Sequence, residues 1–267
     1  MHRILSAFIC LSVGISLATS CAAPEPPPPG ALTLKVLTYN IHHGEGTDGV
    51  FDLERLAEVI TASDADVVFL QEVDVRTARA GGVDQAAELG RLTQMQSVFA
   101  EAMPYDGGSY GEALLSRVPI ASHEVLPLPA SDNHEPRAAL IAVLQPTGWP
   151  FPVRIAGTHL DHTEQDTDRL AQVAALRRQL EKGALPTLLV GDLNATPESV
   201  PMARLFSADW LPADPDHAPT FPADKPTRKI DWILLSPASA GRLMDPQVLV
   251  APVASDHAPF LATWVFD

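Results

Sequence analysis

The chain of 267 residues has only two cysteines, Cys10 and Cys21, so no disulfide framework can staple its body. Basic residues are scarce. Eighteen Lys and Arg stand against 33 Asp and Glu, a formal net charge of −15. A bulk grip on nucleic-acid phosphates needs the opposite balance, so strong sequence-independent nucleic-acid binding is not expected. Aromatic residues make up 6% of the chain, and four Trp with three Tyr give no evident platform for stacking bases. Beyond the N-terminus no apolar run reaches membrane-spanning length, which excludes a polytopic membrane protein. Familiar catalytic signatures are missing too. The chain contains no GxxxxGK[ST] phosphate loop, no GxGxxG opening a helix and no HExxH. Nucleotide-cradling loops and helical zinc proteases are thereby disfavoured.

What is present begins with an address. Met1-His2-Arg3 carries one positive charge, Ile4 to Leu17 is almost wholly apolar, and Ala18-Thr19-Ser20-Cys21 ends the stretch in small residues. That order reads as an export signal over residues 1–20. Ala18-Thr19-Ser20-Cys21 resembles a bacterial lipobox, in which the Cys is lipidated and becomes the first mature residue. Ordinary cleavage near Cys21 is the alternative, but a lone terminal Cys makes better sense as an anchor than as an exposed thiol. The expected location is the cell envelope, membrane-anchored or else periplasmic or secreted. Residues 21–30 hold Pro24 and a run from Pro26 to Pro29, a stiff extended spacer ahead of a domain at 31–267.

That domain reads as two similar halves. Leu34 to Tyr39 alternates in polarity and runs into Asn40-Ile41-His42-His43. Asp52 is a plausible N-cap for a helix with Leu53, Leu56, Ala57 and Ile60 at helical spacing. Asp66 to Leu70 is a buried-strand run that delivers Gln71-Glu72-Val73-Asp74. In the second half Val153 to Gly157 leads into Thr158-His159-Leu160-Asp161-His162. A helix from about Asp166 stops at Gly183, and Pro186 to Val190 delivers Gly191-Asp192-Leu193-Asn194. Between the halves Ala138–Leu144 and Phe151–Ala156 read as adjacent strands. The tail repeats the pattern in Ile230 to Leu235, Ser255-Asp256-His257 and Phe260 to Phe266. Strands outnumber helices and several end in acids, amides or histidines. Two packed, mostly antiparallel sheets with helices outside would gather those ends at one rim.

Asn40, Glu72, Asp192, Asn194 and Asp256 are hard-oxygen ligand types beside strand ends, and with no thiolate among them they suit Mg²⁺, Mn²⁺ or Ca²⁺ better than zinc. Any one of them alone would be read as a turn or cap; several at equivalent strand ends call for a shared site. His159 and His257 are proton carriers near neutrality, and Asp231 is placed to fix the tautomer of His257. Arg137 could neutralise a phosphoryl oxygen or simply form a strand-end ion pair. His123, His134 and His217 read as solvated loop residues.

Thr38-Tyr39-Asn40-Ile41, Gln71-Glu72-Val73, Tyr110-Gly111 with Leu114-Leu115-Ser116-Arg117, Thr158-His159-Leu160, Gly191-Asp192-Leu193-Asn194, Ile230-Asp231 and Ser255-Asp256-His257 stand in one fixed order. Together they resemble the endonuclease/exonuclease/phosphatase superfamily over about Leu32 to Phe266. That resemblance implies a four-layered α/β sandwich and a Mg²⁺- or Mn²⁺-dependent phosphoric ester hydrolase. It assigns Asn40, Glu72 and Asp256 to the metal and Tyr110 and Arg137 to substrate. His159, Asp192, Asn194, Asp231 and His257 fall to catalysis, with the base left open between Asp192 and His257. Glu112 departs from the Asn that bacterial relatives often carry there. The acidic surface and the anchor favour a phosphodiester or phosphomonoester of a small molecule or lipid headgroup, handled by a monomer. An extracellular nuclease and a metal-binding but non-catalytic surface lipoprotein are the alternatives.

Overall fold

The computed structural model describes residues 30–266, so the export signal, Cys21 and residues 22–29 of the linker lie outside the described residues. The strands are β1 (Leu32–Asn40), β2 (Val67–Val75), β3 (Gln96–Tyr105), β4 (Gly108–Ser116), β5 (Ile120–Pro127) and β6 (Ala138–Leu144). They continue as β7 (Val153–His159), β8 (Thr187–Asp192), β9 (Leu211–Pro212), β10 (Asp231–Leu235), β11 (Arg242–Val248) and β12 (Phe260–Phe266). Four helices are interleaved: α1 (Leu53–Ser63), α2 (Gln85–Thr93), α3 (Thr167–Leu180) and α4 (Val200–Phe206).

The strands form two sheets of six, ordered β11-β12-β1-β2-β4-β3 and β5-β6-β7-β8-β10-β9. Each has one parallel pair at its centre, β1 with β2 and β7 with β8, and is antiparallel elsewhere. The two orders map strand for strand, which makes the two similar halves of the sequence a structural duplication. Of the tail, β10 joins the second sheet, whereas β11 and β12 complete the first, β12 pairing with β1 from Leu32↔Phe266 to Thr38↔Phe260.

Period-two alternation sorts the side chains into layers. Leu34 and Val36 of β1, Phe69 of β2, Ile155 of β7, Val190 of β8 and Ile233 of β10 meet in the core between the sheets. Leu37 and Tyr39 turn outward and pack under α1 and α2, while Ala156, Leu189 and Leu234 do the same under α3 and α4. The result is helix, sheet, sheet, helix. Both faces of each central strand are therefore apolar, as the continuous hydrophobic runs require. Asp52 caps α1 by accepting from the Arg55 amide at 2.9 Å, and Asp84 caps α2 from Ala87 at 3.0 Å. The helix predicted from Asp166 to Gly183 runs from Thr167 to Leu180.

At the crossing of β2 and β7 the sheets approach so closely that a Cβ built on Gly157 would lie 2.2 Å from the Phe69 ring. Phe69 is wholly buried, so the ring has nowhere to retreat. Gly157→Ala is expected to cost about 1–3 kcal/mol in urea unfolding, the usual toll of overpacking. An unchanged midpoint would show that the ring moves aside freely.

Candidate active site

The inner-facing positions at one end of the central strands are polar, where farther along each strand they are apolar. Asn40 ends β1 opposite Gln71 on β2, and His159 ends β7 opposite Asp192, which in turn faces Asp231 on β10. Ten residues singled out in the sequence converge there. Glu72, Tyr110, Arg137, His159, Asp192, Asn194, Asp256 and His257 line one cleft of about 430 Å³. Asn40 and Asp231 support it from beneath.

Asn40 joins the two sheets. Its Nδ2 donates to Glu72 Oε1 at 3.0 Å and to Asp192 Oδ2 at 3.3 Å, while its Oδ1 accepts from the His42 amide at 3.0 Å. That backbone donor fixes the amide's orientation, so nitrogen rather than oxygen faces the carboxylates. Glu72 itself sits at φ 60°, Asn194 at 46°, and His42 and His43 at 45° and 44°. Four non-glycine residues in left-handed conformations around one cleft mark a site held against local preference. Gly191, at φ 131°, brings its Cα so close to the Thr158 carbonyl that a Cβ would lie 2.0 Å from that oxygen. Glycine is thus required just ahead of Asp192.

Asp192 is surrounded. Its Oδ1 accepts from the Asn194 amide at 2.9 Å, and its Oδ2 lies 3.4 Å from His159 Nε2 and 3.6 Å from His257 Nε2. Burial drives its carboxyl pKa upward, and Asp231 adds to the rise against the pull of His257. For His257, burial favours the neutral ring, but the charges of Asp231 and Asp192 outweigh it and raise the imidazole pKa. The geometry agrees, since Nδ1 sits 3.1 Å from both oxygens of Asp231. His159 goes the other way. Burial, with Arg137 and His257 nearby, holds it far below the usual imidazole range. Its Nε2 meets Asn194 Nδ2 at 2.9 Å and so accepts, leaving the proton on Nδ1, 4.0 Å from Glu72 Oε1. Two histidines on one carboxylate are thereby pushed to opposite protonation states.

Arg137 is buried, pairs with Glu135 at 3.1 Å and meets His162 Nδ1 at 3.1 Å, yet its Nε has no partner. Both readings of Arg137, ion pair and cleft cation, describe it. Glu112 is fully buried with neither carboxylate oxygen hydrogen-bonded. Burial pushes its pKa well up, Arg137 opposing. Sequence reasoning passed over Glu135 and the arm made by Arg79, whose guanidinium grips buried Asp74 at 2.6 and 2.8 Å and lies 4.5 Å over Tyr105. The spacing of Asp74 and Arg79 carried no motif that could have revealed them. His123 is exposed as expected, but on β5 rather than in a loop. His134 and His217 are not simply solvated: His134 bonds Asp168 at 2.7 Å, and His217 stacks parallel to Phe206. Burial of carboxylates nearby and of an aromatic wall, invisible in a loop sequence, accounts for both.

The chain belongs to the Endonuclease/Exonuclease/phosphatase family, whose model matches residues 37–257. Members of that family are hydrolases acting on phosphoesters. Among curated proteins it is similar to the uncharacterized protein YbhP of Escherichia coli (strain K12), 29% identical over 243 residues, 86% of this chain and 95% of that protein. Among solved structures it resembles an endonuclease/exonuclease/phosphatase from Beutenbergia cavernae DSM 12333, with a TM-score of 0.72 and 26% identity over 88% of this chain and 72% of the other. The mannosyl-6-phosphatase Bt3783 of Bacteroides thetaiotaomicron VPI-5482 shares the fold at a TM-score of 0.70 and 18% identity, covering 87% of this chain and all of its own, 100%.

Glu112 offers a test of the site's electrostatics in the metal-free protein. A carboxyl whose folded pKa is raised binds more protons folded than unfolded above about pH 4.5, so it costs stability increasingly as pH rises. Glu112→Gln, measured in EDTA, is expected to raise the melting midpoint by a few degrees at pH 7.5 and hardly at all at pH 4.5. An equal effect at both values would show that Glu112 is not a buried acid of raised pKa.

Proposed function

We propose that this protein is a divalent-metal-dependent phosphoesterase acting on a phosphodiester or phosphomonoester of a small molecule or lipid headgroup. The observation that carries the reading is the convergence of Glu72, Asp192, Asp256, His159 and His257 on one small cleft. Its volume of about 430 Å³ suits a compact ligand. The fold shared with a mannosyl-6-phosphatase is compatible with a monoester.

The residues fit a hard divalent cation. Glu72 and Asp256 bring carboxylate oxygens to the cleft beside buried Asp192, an excess of negative charge with no thiolate, and Glu72 keeps 22% of its side chain exposed. Glu72 and Asp256 would hold Mg²⁺ or Mn²⁺, with Asn40 orienting Glu72. Such an ion, when bound, polarises the phosphoryl group and lowers the pKa of water.

The protein's own groups then divide the work. An imidazole held protonated has no lone pair, so His257 acts as a cation toward a phosphoryl oxygen, and Asp192 is the base that takes the water's proton. Asn194 and neutral His159 orient the attacking water and a phosphoryl oxygen, and Arg137 offsets charge in a dry site where one well-placed donor is worth about 3–4 kcal/mol. Tyr110 closes the wall beside Arg79. We place this reaction at the cell envelope, on the lipobox-like segment ending at Cys21, with the enzyme as a monomer.

Hydrolysis of bis-p-nitrophenyl phosphate and p-nitrophenyl phosphate, with Mg²⁺, Mn²⁺ or EDTA, tests the reading and separates diester from monoester. Asp192→Asn and His257→Ala are each expected to lose at least about a hundredfold in kcat with the fold intact. Turnover at wild-type level in either would sink the assignment. DNA and RNA cleavage that fell steeply with salt would favour the nuclease instead. Metal binding without any hydrolysis would favour the non-catalytic lipoprotein.

The division of labour also fixes a pH response. Activity should fall on the alkaline side as His257 loses its proton. Asp231 is one of the charges that raise that pKa, so Asp231→Asn should move the alkaline limb to lower pH. A limb that stays in place, or moves upward, would assign it to another group.

A further inference from the structure

A second cluster lies behind the cleft wall, and none of its three members lines the cleft. His134 Nδ1 lies 2.7 Å from Asp168 Oδ2 and 3.8 Å from Asp161 Oδ1. One ligand atom from each residue falls within 4.8 Å of the other two. Asp161 is 1% exposed and Asp168 4%.

The surroundings hold these groups in place without neutralising them. Asp161 Oδ2 accepts from the amide and hydroxyl of Thr163, and the Asp161 amide donates to Gln172 Oε1. Asp168 accepts from the amide and hydroxyl of Ser131. Asp161 Oδ1 is buried with no hydrogen-bond partner and faces the imidazole. The guanidinium of Arg169 nearby is spent on main-chain carbonyls of residues 161, 163 and 164 and on the Asp166 carboxylate. Two buried carboxylates thus converge on a single nitrogen, an arrangement that is costly unless a positive charge sits among them.

We propose that His134 Nδ1, Asp161 Oδ1 and Asp168 Oδ2 bind a divalent cation of the Zn²⁺ or Mn²⁺ class, as a structural site separate from the catalytic centre. One imidazole with two carboxylates, leaving room for water, is a donor set for such ions. Binding displaces the Nδ1 proton to solvent. The three ligands come from different segments: His134 from the loop between β5 and β6, Asp161 from just after β7, and Asp168 from the first turn of α3. Glu135 and Arg137 on that loop and His162 beside Asp161 all line the cleft. The cation would therefore lock together the wall that carries Arg137.

Metal content, rather than turnover, tests this, so its failure leaves the phosphoesterase reading untouched. The full chain carrying Glu72→Gln and Asp192→Asn, which disable the catalytic cluster, should still bind about one equivalent of Zn²⁺ in competition with a chromogenic chelator. Adding His134→Gln or Asp168→Asn should weaken that binding by at least ~100-fold, since even an outer-shell partner can cost as much. Zn²⁺ should raise the melting midpoint of the first variant and not of the second pair. Co²⁺ added to the first variant should develop visible d–d bands that Zn²⁺ abolishes. If that folded protein binds no Zn²⁺ and Co²⁺ keeps its aqueous spectrum, His134 is a hydrogen-bonded clasp and the proposal is overturned, whether or not the His134 variants fold.

Discussion

The hydrogen bond from Asn40 to Asp192 is the point at which the two sheets' polar ends meet. Asn40 closes the parallel pair of the first sheet and Asp192 closes that of the second. A sandwich whose inner faces are otherwise apolar can tolerate such groups only at the edge of the layer, and only if each finds a partner. The duplication delivers that. Because both sheets place a parallel pair at the centre, the ends of β1, β2, β7 and β8 arrive side by side, and one amide can serve a carboxylate from each sheet. Remove that register and the groups lining the cleft would be buried singly, with no neighbours to share the cost.

Burial is also what sets the chemistry. In water Asp192 and His257 would titrate as an ordinary acid and an ordinary imidazole. Here desolvation raises the acid, and the paired carboxylates hold the proton on the ring. His159 touches the same Asp192, but burial first and then the charges of Arg137 and His257 oppose its protonation, and its Nδ1 has no hydrogen bond. Similar contacts with opposite outcomes show that the charge environment, not the residue type, distinguishes a cation from a neutral ligand.

Much of this was legible in the sequence, because the strands with clear apolar runs are the ones that carry the site. The strands 138–144 and 260–266 have the boundaries read from their hydrophobic pattern, and Asp52 caps α1 as its spacing indicates. Most of the ten candidate residues sit at or just beyond the ends of strands so read, whereas Glu72 lies within β2, and Tyr110 lies on β4, where the family resemblance rather than the hydrophobic pattern picked it out. Other elements lacked such runs and escaped detection. The helix at 85–93 fully buries only Ala86 and Leu89 among its apolar side chains, and β11 buries no residue fully and is interrupted by a bulge. Arg79, Glu135, His134 and Asp168 sit on loops or a helix turn and acquire meaning only through partners distant in sequence. The departure at Glu112 was visible as a residue, but its consequence, a carboxyl with no partner at all, needed the packing.

The duplication supplies a physical account of Glu112. In strand order β4 stands to the first sheet as β10 stands to the second, and β6 as β12. Asp231 on β10 faces Asp192 across the ladder; Glu112 on β4 faces the bulge at Gln71 and Glu72. His257 enters just ahead of β12, and Arg137 just ahead of β6. Each pair thus joins an acid on the fifth strand of one sheet to a cation just ahead of the second strand of the other. One pair closes, with His257 and Asp231 at 3.1 Å. The other does not: Glu112 stays unbonded while Arg137 turns to Glu135 and His162. An imidazole clamped by its acid is a fixed proton site. A guanidinium left with free donors beside the same cleft is a charge available to a ligand. The same scaffold, used twice, therefore yields one side suited to managing a proton and another suited to gripping an anion, and phosphoester hydrolysis needs both.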